Sequence, residues 1–393
     1  MSMRGMIAQS TPMTPIDITA PTPLLGGLSP EAFMRRHWHK KPLLVRQALP
    51  MDRPFVARGE LFALAASEDV ESRLIVRRGR DWTLRHGPLR RRALPPLSQA
   101  GWSLLVQGLD LHLDSARQML ESFRFVPDAR LDDVMVSYAT DGGGVGPHFD
   151  SYDVFLLQIH GVRRWRIGRL PHPELQPDVP LKILTNFEPE QEWRLEPGDM
   201  LYLPPRWAHD GIAEGECMTC SIGFRSAGRQ ELARELLQRA LDADEPAGDD
   251  RIYRDPTQPA IREPGRIPEA LQAFALDGLR RWLEDQGGFE LALGEVLSEP
   301  KPGVWFAAGA PLPTGCGVRL DRRTRMLHDR RHVYINGEPF RAGGRDATLM
   351  RRLADRRELV ARERAALSAD AQELLDQWAR AGWLHAETEG EGR

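Results

Sequence analysis

The run Asp141-Gly-Gly-Gly-Val-Gly-Pro147, ending in His148-Phe149-Asp150, restricts what this chain can fold into more than any other feature. In a strand, residues two apart point to the same face, so His148 and Asp150 present an imidazole and a carboxylate to one point in space. A third ligand has to come from a distant strand that crosses nearby, which demands a β-rich framework. His209 is the candidate. Leu195-Glu-Pro-Gly-Asp199 reads as a tight turn, Met200-Leu-Tyr-Leu203 as a short strand and Pro204-Pro205-Arg206-Trp207-Ala208 as a stiff exit that delivers His209 to a strand edge. Two histidines and one carboxylate on one face of an octahedral ion leave the remaining positions for a cosubstrate and dioxygen. A donor set without thiolate favours Fe(II) over zinc-thiolate chemistry. His-x-Asp alone arises often by chance. The Gly-rich lead-in, the Pro-Gly-Asp turn and the second histidine after a Pro-Pro exit make the constellation specific.

The rest of the chain supports that framework. Between about Leu28 and Phe224, short strand-like runs are broken by Gly and Pro: Leu74–Val76, Val134–Tyr138, Val154–Ile159, Arg164–Ile167, Met200–Leu203 and Met218–Phe224. A helix is predicted over Pro30–His37, with Ser29 as its cap and Pro30 in the first turn. Beyond Arg229 the pattern becomes helical. Leu232, Leu236, Leu237 and Leu241 recur at helix spacing, as do Leu271, Phe274, Leu279, Trp282 and Leu283, with Gly287-Gly288 as a stop and a charged linker over Asp242–Arg266 between the two. Such amphipathic helices need a cover, either the barrel or another subunit. After Pro300, strands at Gly317–Leu320 and His332–Ile335, an Asn336-Gly337 turn and further helices describe a small α+β module.

Strand parity points to a cosubstrate anchor. A two-residue His160-Gly161 turn pairs Gln158 with Arg163 across a hairpin, which puts Arg163 and Trp165 on the face shared by His148 and Asp150. Arg164 and Arg166 then point away. Arg163 is thereby selected as the guanidinium that grips the distal carboxylate of a dicarboxylic cosubstrate, and a single bulge would reverse the parity. Ser137 and Tyr138, on the strand entering the Gly-rich loop, are weaker candidates for the same pocket. That loop lacks a Gly-Lys-Ser/Thr ending and precedes a strand, so nucleotide binding is not supported.

Composition excludes some classes. The 393 residues suffice for two or three domains, and no apolar run approaches the length of a membrane span. The N-terminal residues lack the apolar stretch of a secretory signal and read as a loose arm. Cys217, Cys220 and Cys316 are too few and too odd for a disulfide framework, which fits the cytoplasm. Cys217 and Cys220 are three apart in a predicted strand and face opposite sides, so they do not share a metal. The net charge of −3 hides a +7 stretch between Val318 and Arg364, built from 14 Arg against 7 acids.

At the residues quoted above, the chain resembles the JmjC-type cupin oxygenases. It is closer still to their bacterial ribosomal-oxygenase branch, the arginine 3-hydroxylases of large-subunit ribosomal protein sixteen. The resemblance rests on Asp132-Asp-Val-Met-Val-Ser-Tyr138, Gly142–Asp150, Tyr152-Asp-Val-Phe155, Arg163-Arg-Trp-Arg166 and Leu195–Asp199 through His209. His37-Trp38, Trp102–Val106 and Ser221–Arg225 add to it. It is specific over about the first 225 residues and mostly architectural beyond them.

It implies an α+β chain: a flexible arm over 1–27, a double-stranded β-helix (cupin/JmjC) barrel over 28–228, a helical dimerisation region over 229–300 and a winged-helix-like module over 301–393. It further implies Fe(II) at His148, Asp150 and His209, with 2-oxoglutarate held by Arg163 and Ser137. Dioxygen would be the second cosubstrate, an arginine of a ribosomal protein the target and a homodimer the assembly. Rival readings are a small-molecule oxygenase, a demethylase of methylated Lys or Arg, and a cupin that binds metal without turnover. Nucleic-acid binding by the Arg-rich C-terminal stretch would be an accessory activity beside these.

Overall fold

The computed structural model describes residues 16–242, 252–254, 256, 267–284, 286–341 and 343–387. It divides into two compact units, Met1–Ser226 and Ala227–Arg393. Most of the expected arm and of the expected linker lies outside the described residues. The described end of the arm is not loose: Thr22 caps a short 3₁₀ turn in which Leu24 and Leu25 are buried.

The first unit carries strands β1 (Leu43–Val45), β2 (Ser72–Arg78), β3 (Asp81–His86), β4 (Trp102–Val106), β5 (Leu131–Ala139), β6 (Val154–Arg169), β7 (Gln191–Leu195), β8 (Met200–Leu203) and β9 (Trp207–Phe224). They form one nine-stranded sheet in the order β1-β8-β6-β9-β5-β4-β2-β3, with β7 also paired to β6. Helices α1 (Pro30–Arg36), α2 (Arg58–Ala65) and α3 (Asp114–Glu121) belong to the same unit. In α1 the Ser29 hydroxyl accepts the Ala32 N–H, Pro30 occupies the first turn and Arg35 and Arg36 end the helix, as its sequence dictates. The aromatic core lies between these helices and one face of the sheet: Phe33, Phe123, Phe155, Tyr202 and Phe224 are fully buried, with Phe155 4.8 Å from Phe123 and 4.9 Å from Tyr202 by ring centroid.

The hairpin expected at His160-Gly161 is absent. β6 is a single strand of 16 residues, antiparallel to β9 along its length, and its register shifts on both sides of His160. Gly161 adopts φ +62°, and a Cβ there would stand 2.1 Å from the Glu216 carbonyl oxygen. The Gln158 carboxamide closes the irregularity by donating to the carbonyls of His160 and Gly161. A bulge re-aims every side chain beyond it. Before it, Val154 and Leu156 point into the inner cluster; after it, Trp165 and Ile167 do. Gly161→Ala should therefore cost about 1–3 kcal/mol from the left-handed backbone alone, with the clash in addition. A fall in the urea midpoint checks it, and an unchanged midpoint would contradict the bulge.

In the second unit, α4 (Arg229–Asp242) meets α6 (Gln286–Ser298) through Leu236, Ala292 and Val296, and α5 (Glu269–Glu284) precedes α6. Gly287 and Gly288 fall in the first turn of α6, so the expected stop is a break between two helices. β10 (Gly317–Leu320) pairs with β14 (Glu358–Leu359) and β15 (Leu384–Glu387), while β11 (Met326–His328), β12 (His332–Ile335) and β13 (Glu338–Arg341) form a meander. The Asn336-Gly337 turn takes positive φ at both residues, as a tight hairpin requires. Helices α7 (Gly344–Arg356), α8 (Ala361–Ala365) and α9 (Ala369–Arg380) close a core around Leu353, Leu359, Leu375 and Trp378. No described helix is long and apolar enough to cross a membrane.

Candidate active site

His148 and Asp150 do not lie on a strand, contrary to the parity argument. They sit on an extended segment between β5 and β6 that is pinned by a single bridge to His209, the third residue of β9. His148 N–H donates to the His209 carbonyl at 3.0 Å and His209 N–H to that of His148 at 2.7 Å. On the other side, the Arg206 N–H donates to the Asp150 carbonyl at 2.7 Å from a turn in which Arg206 has φ +66°. Three backbone hydrogen bonds thus fix two segments far apart in sequence at ligand spacing.

The Gly-rich lead-in permits this approach. A Cβ on Gly144 would stand 2.5 Å from the Gly211 carbonyl oxygen, and one on Gly146 would meet Ile183 at 2.7 Å and the Trp82 ring at 3.0 Å. Neither position accepts a larger residue without displacing the segment that bears His148.

Ligand atoms of His148, Asp150 and His209 all lie within 4.8 Å of one another, and among the described residues this is the one such His/Cys/Asp/Glu group. His209 Nε2 stands 3.7 Å from Asp150 Oδ2. Each imidazole is oriented by a backbone carbonyl: His148 Nδ1 donates to Gly146 O at 2.8 Å and His209 Nδ1 to Trp207 O at 2.9 Å. A carbonyl can only accept, so the proton resides on Nδ1 and Nε2 keeps its lone pair for a cation. Burial, reinforced by the neighbouring His148, pushes the His209 pKa down to about 4. The ring is neutral at physiological pH and offers a ligand nitrogen without losing a proton. Two imidazoles and one carboxylate, with no thiolate, suit an iron-type ion bound on one side. Cys217 and Cys220 are buried in β9, and neither belongs to this group.

Trp165 links this group to the second polar feature: its ring lies 5.8 Å from that of His209 and 5.8 Å from the Arg163 guanidinium carbon. Arg163 is 5% exposed and donates from Nη1 to Ser137 Oγ at 3.1 Å, but its Nε and Nη2 have no partner. Ser137 Oγ donates to the Thr219 carbonyl, and Thr219 Oγ1 donates to Gln158 Oε1 at 2.8 Å. A buried guanidinium with unsatisfied donors is costly unless an anion completes it, and its fork matches a carboxylate. Arg164 and Arg166 point elsewhere, toward Glu192 and Glu214 and toward Asp210. Asp153 has a structural partner set, the Tyr202 hydroxyl and His39.

Sequence reasoning missed Thr219 and the carbonyls of Gly146 and Trp207. Thr219 is detectable in principle as the polar position inside the apolar run Met218–Phe224, whereas a backbone carbonyl carries no residue signature. Tyr152, two residues beyond Asp150, is 38% exposed. Burial of its hydroxyl, with the carboxylates of Asp150, Asp133 and Asp132, pushes its pKa up.

Residues 118–232 match the JmjC domain family and residues 284–385 the ROXA-like winged helix family. Ribosomal protein uL16 3-hydroxylase of Escherichia coli (strain K12) is 36% identical over 338 residues, covering 80% of this chain and 86% of the relative. The structure of YcfD, a ribosomal oxygenase from Escherichia coli, in complex with cobalt and 2-oxoglutarate superimposes with a TM-score of 0.79 at 28% identity, covering 92% of this chain and 99% of the other. Its complex with cobalt and succinic acid gives 0.78 at the same identity and coverage.

Proposed function

The chain belongs to the JmjC-domain ribosomal oxygenases, and from that premise we propose that it is an Fe(II)- and 2-oxoglutarate-dependent hydroxylase of an arginine side chain in a large-subunit ribosomal protein. What carries the reading is the buried guanidinium of Arg163, two of whose three nitrogens lack a hydrogen-bond partner, beside a Trp165 ring that also neighbours the three-residue ligand group. In this reading His148, Asp150 and His209 hold the metal, while Arg163 and Ser137 hold the distal carboxylate of 2-oxoglutarate. Bound there, iron supplies dioxygen activation coupled to decarboxylation of 2-oxoglutarate to succinate, with one oxygen atom entering a substrate C–H bond.

The chain's own residues do the rest. The carbonyls of Gly146 and Trp207 fix both imidazole tautomers before the metal arrives, so ligation costs little reorganisation. The Arg163 fork sets the cosubstrate's orientation, and the Trp165 ring and the inner cluster of Leu156, Leu201 and Leu203 keep water from the pocket wall.

The test is aerobic incubation with Fe(II), 2-oxoglutarate and isolated ribosomal proteins, read by mass spectrometry. One protein should gain a single oxygen on an arginine. Loss of a methyl group from a methylated substrate would point to a demethylase, and succinate formation without any modified protein to a small-molecule oxygenase. The setting of this reaction is the cytoplasm, where ribosomal proteins are made.

A homodimer belongs to the same proposal. α5 exposes Leu271, Phe274, Leu276 and Leu279, the last at 57%, a row too apolar to be left in water. Leu276→Glu with Leu279→Glu should convert a dimer to a monomer in sedimentation analysis. A monomeric unmodified protein would remove this part of the reading.

A further inference from the structure

We propose that one end of the β11–β12–β13 meander, with the adjoining turns of α7, is an RNA-binding surface that grips phosphodiester groups through exposed arginines. Arg330 and Arg331 occupy the β11–β12 turn, and the register of β12 with β13 sets Arg341 opposite His332 at that same end. Arg345 lies in the first turn of α7. Arg351, further along that helix, donates to the Arg330 carbonyl at 2.6 Å, so α7 is seated against this turn. Four of these side chains are exposed, and Arg351 is half-buried.

None of them forms an ion pair among the described residues, whereas other arginines of the unit are neutralised. Arg319 pairs with Glu358 and Glu387, Arg323 with Asp321, and Arg352 and Arg356 with Glu363. Carboxylates lie nearby too: Asp355 pairs with His328 beside this turn, Arg345 acts electrostatically on Asp346, and Asp329 and Asp346 are turned onto local donors. Asp329 accepts from its own turn and from the Tyr334 hydroxyl, and Asp346 from Ser368. The other end of the meander carries Glu338 and, against Gly337, Glu299, together with Arg325.

The chemistry of the surface selects its partner. Guanidinium forks match phosphate oxygens, and a nucleic-acid backbone presents them in succession without requiring a shaped pocket. Protein interfaces instead centre on buried aromatic or aliphatic anchors, and none of the exposed large hydrophobic residues lies at this end of the meander. The choice of RNA over DNA rests on the ribosomal-protein substrate proposed above.

The test uses the full-length protein and a fluorescently labelled single-stranded RNA, with affinity followed across a salt series. Wild type should bind with a steep salt dependence. The triple variant Arg330→Gln/Arg331→Gln/Arg341→Gln should lose roughly two units of the log–log salt slope, at about 0.7 per phosphate contact, and bind at least about tenfold more weakly at low salt. Arg352→Gln, already paired with Glu363, should leave both unchanged. Equal melting temperatures of wild type and triple variant exclude unfolding as the cause.

Absence of RNA binding by wild type, or an unchanged slope in the triple variant, overturns the proposal. Competition by polyglutamate as effective as by RNA also overturns it, in favour of an acidic protein. Hydroxylation of the isolated ribosomal protein is read in parallel. Wild type that binds RNA yet yields no hydroxylated product removes the functional reading alone, while loss of RNA binding with normal hydroxylation in the triple variant supports both.

Discussion

Replacing Asp150 by alanine should abolish 2-oxoglutarate turnover, with a loss of at least about 10³-fold, and His209→Ala should do the same. The expectation follows from what each group contributes. Asp150 is the one carboxylate within ligand distance of both imidazoles, and His209 is the most deeply buried of the three. Without Asp150 the remaining pair offers two neutral donors and no charge to offset a divalent cation. Metal-centred charge stabilisation is worth several kcal/mol, and each 1.4 kcal/mol is about tenfold in rate. Two readouts separate this from general damage: succinate formation, and titration with Co(II) followed by its visible spectrum. The variants should bind Co(II) weakly while keeping the circular dichroism of the unmodified protein. Turnover within tenfold of the original in Asp150→Ala would mean that the metal sits elsewhere.

How far the sequence announced this site depends on which physical quantity is asked for. The grouping of His148, Asp150 and His209 was legible because they stand in rare local contexts, a Gly-rich entry and a Pro-Pro exit. Their backbone setting was not. His148 and Asp150 lie on an extended loop held by cross-chain hydrogen bonds, and alternation along the sequence cannot distinguish that from a strand.

Arg163 is the instructive case. A hairpin at His160-Gly161 and a bulge at the same residues both place Gln158 and Arg163 on one face, so two different local structures single out the same side chain. The signal common to both is the glycine that tolerates positive φ. The Gly287-Gly288 pair shows the opposite: a helix-breaking signal was present, yet another helix starts there, because the propensity of two residues is outweighed by the contacts of α6 with α4.

Arg163→Met should raise the KM for 2-oxoglutarate by roughly 30- to 1,000-fold, the equivalent of about 2–4 kcal/mol for removing one member of a buried charge-assisted pair. The same substitution should stabilise the protein in the absence of cosubstrate by about 1–3 kcal/mol, because it removes a buried guanidinium two of whose donors are unsatisfied. The two effects have opposite signs, and that is the discriminating feature. A residue that merely braces the barrel would lose stability and activity together. If Arg163 is instead held for a ligand, its cost to the free protein is recovered only when a carboxylate arrives. Urea unfolding of wild type and Arg163→Met, each with and without 2-oxoglutarate and Co(II), measures both sides. Wild type should gain stability on adding the pair of ligands, in proportion to the logarithm of their concentration over Kd, and the variant should start higher and gain much less. A variant that starts lower and gains as much as wild type would show that Arg163 serves the fold and that the carboxylate is gripped by another group.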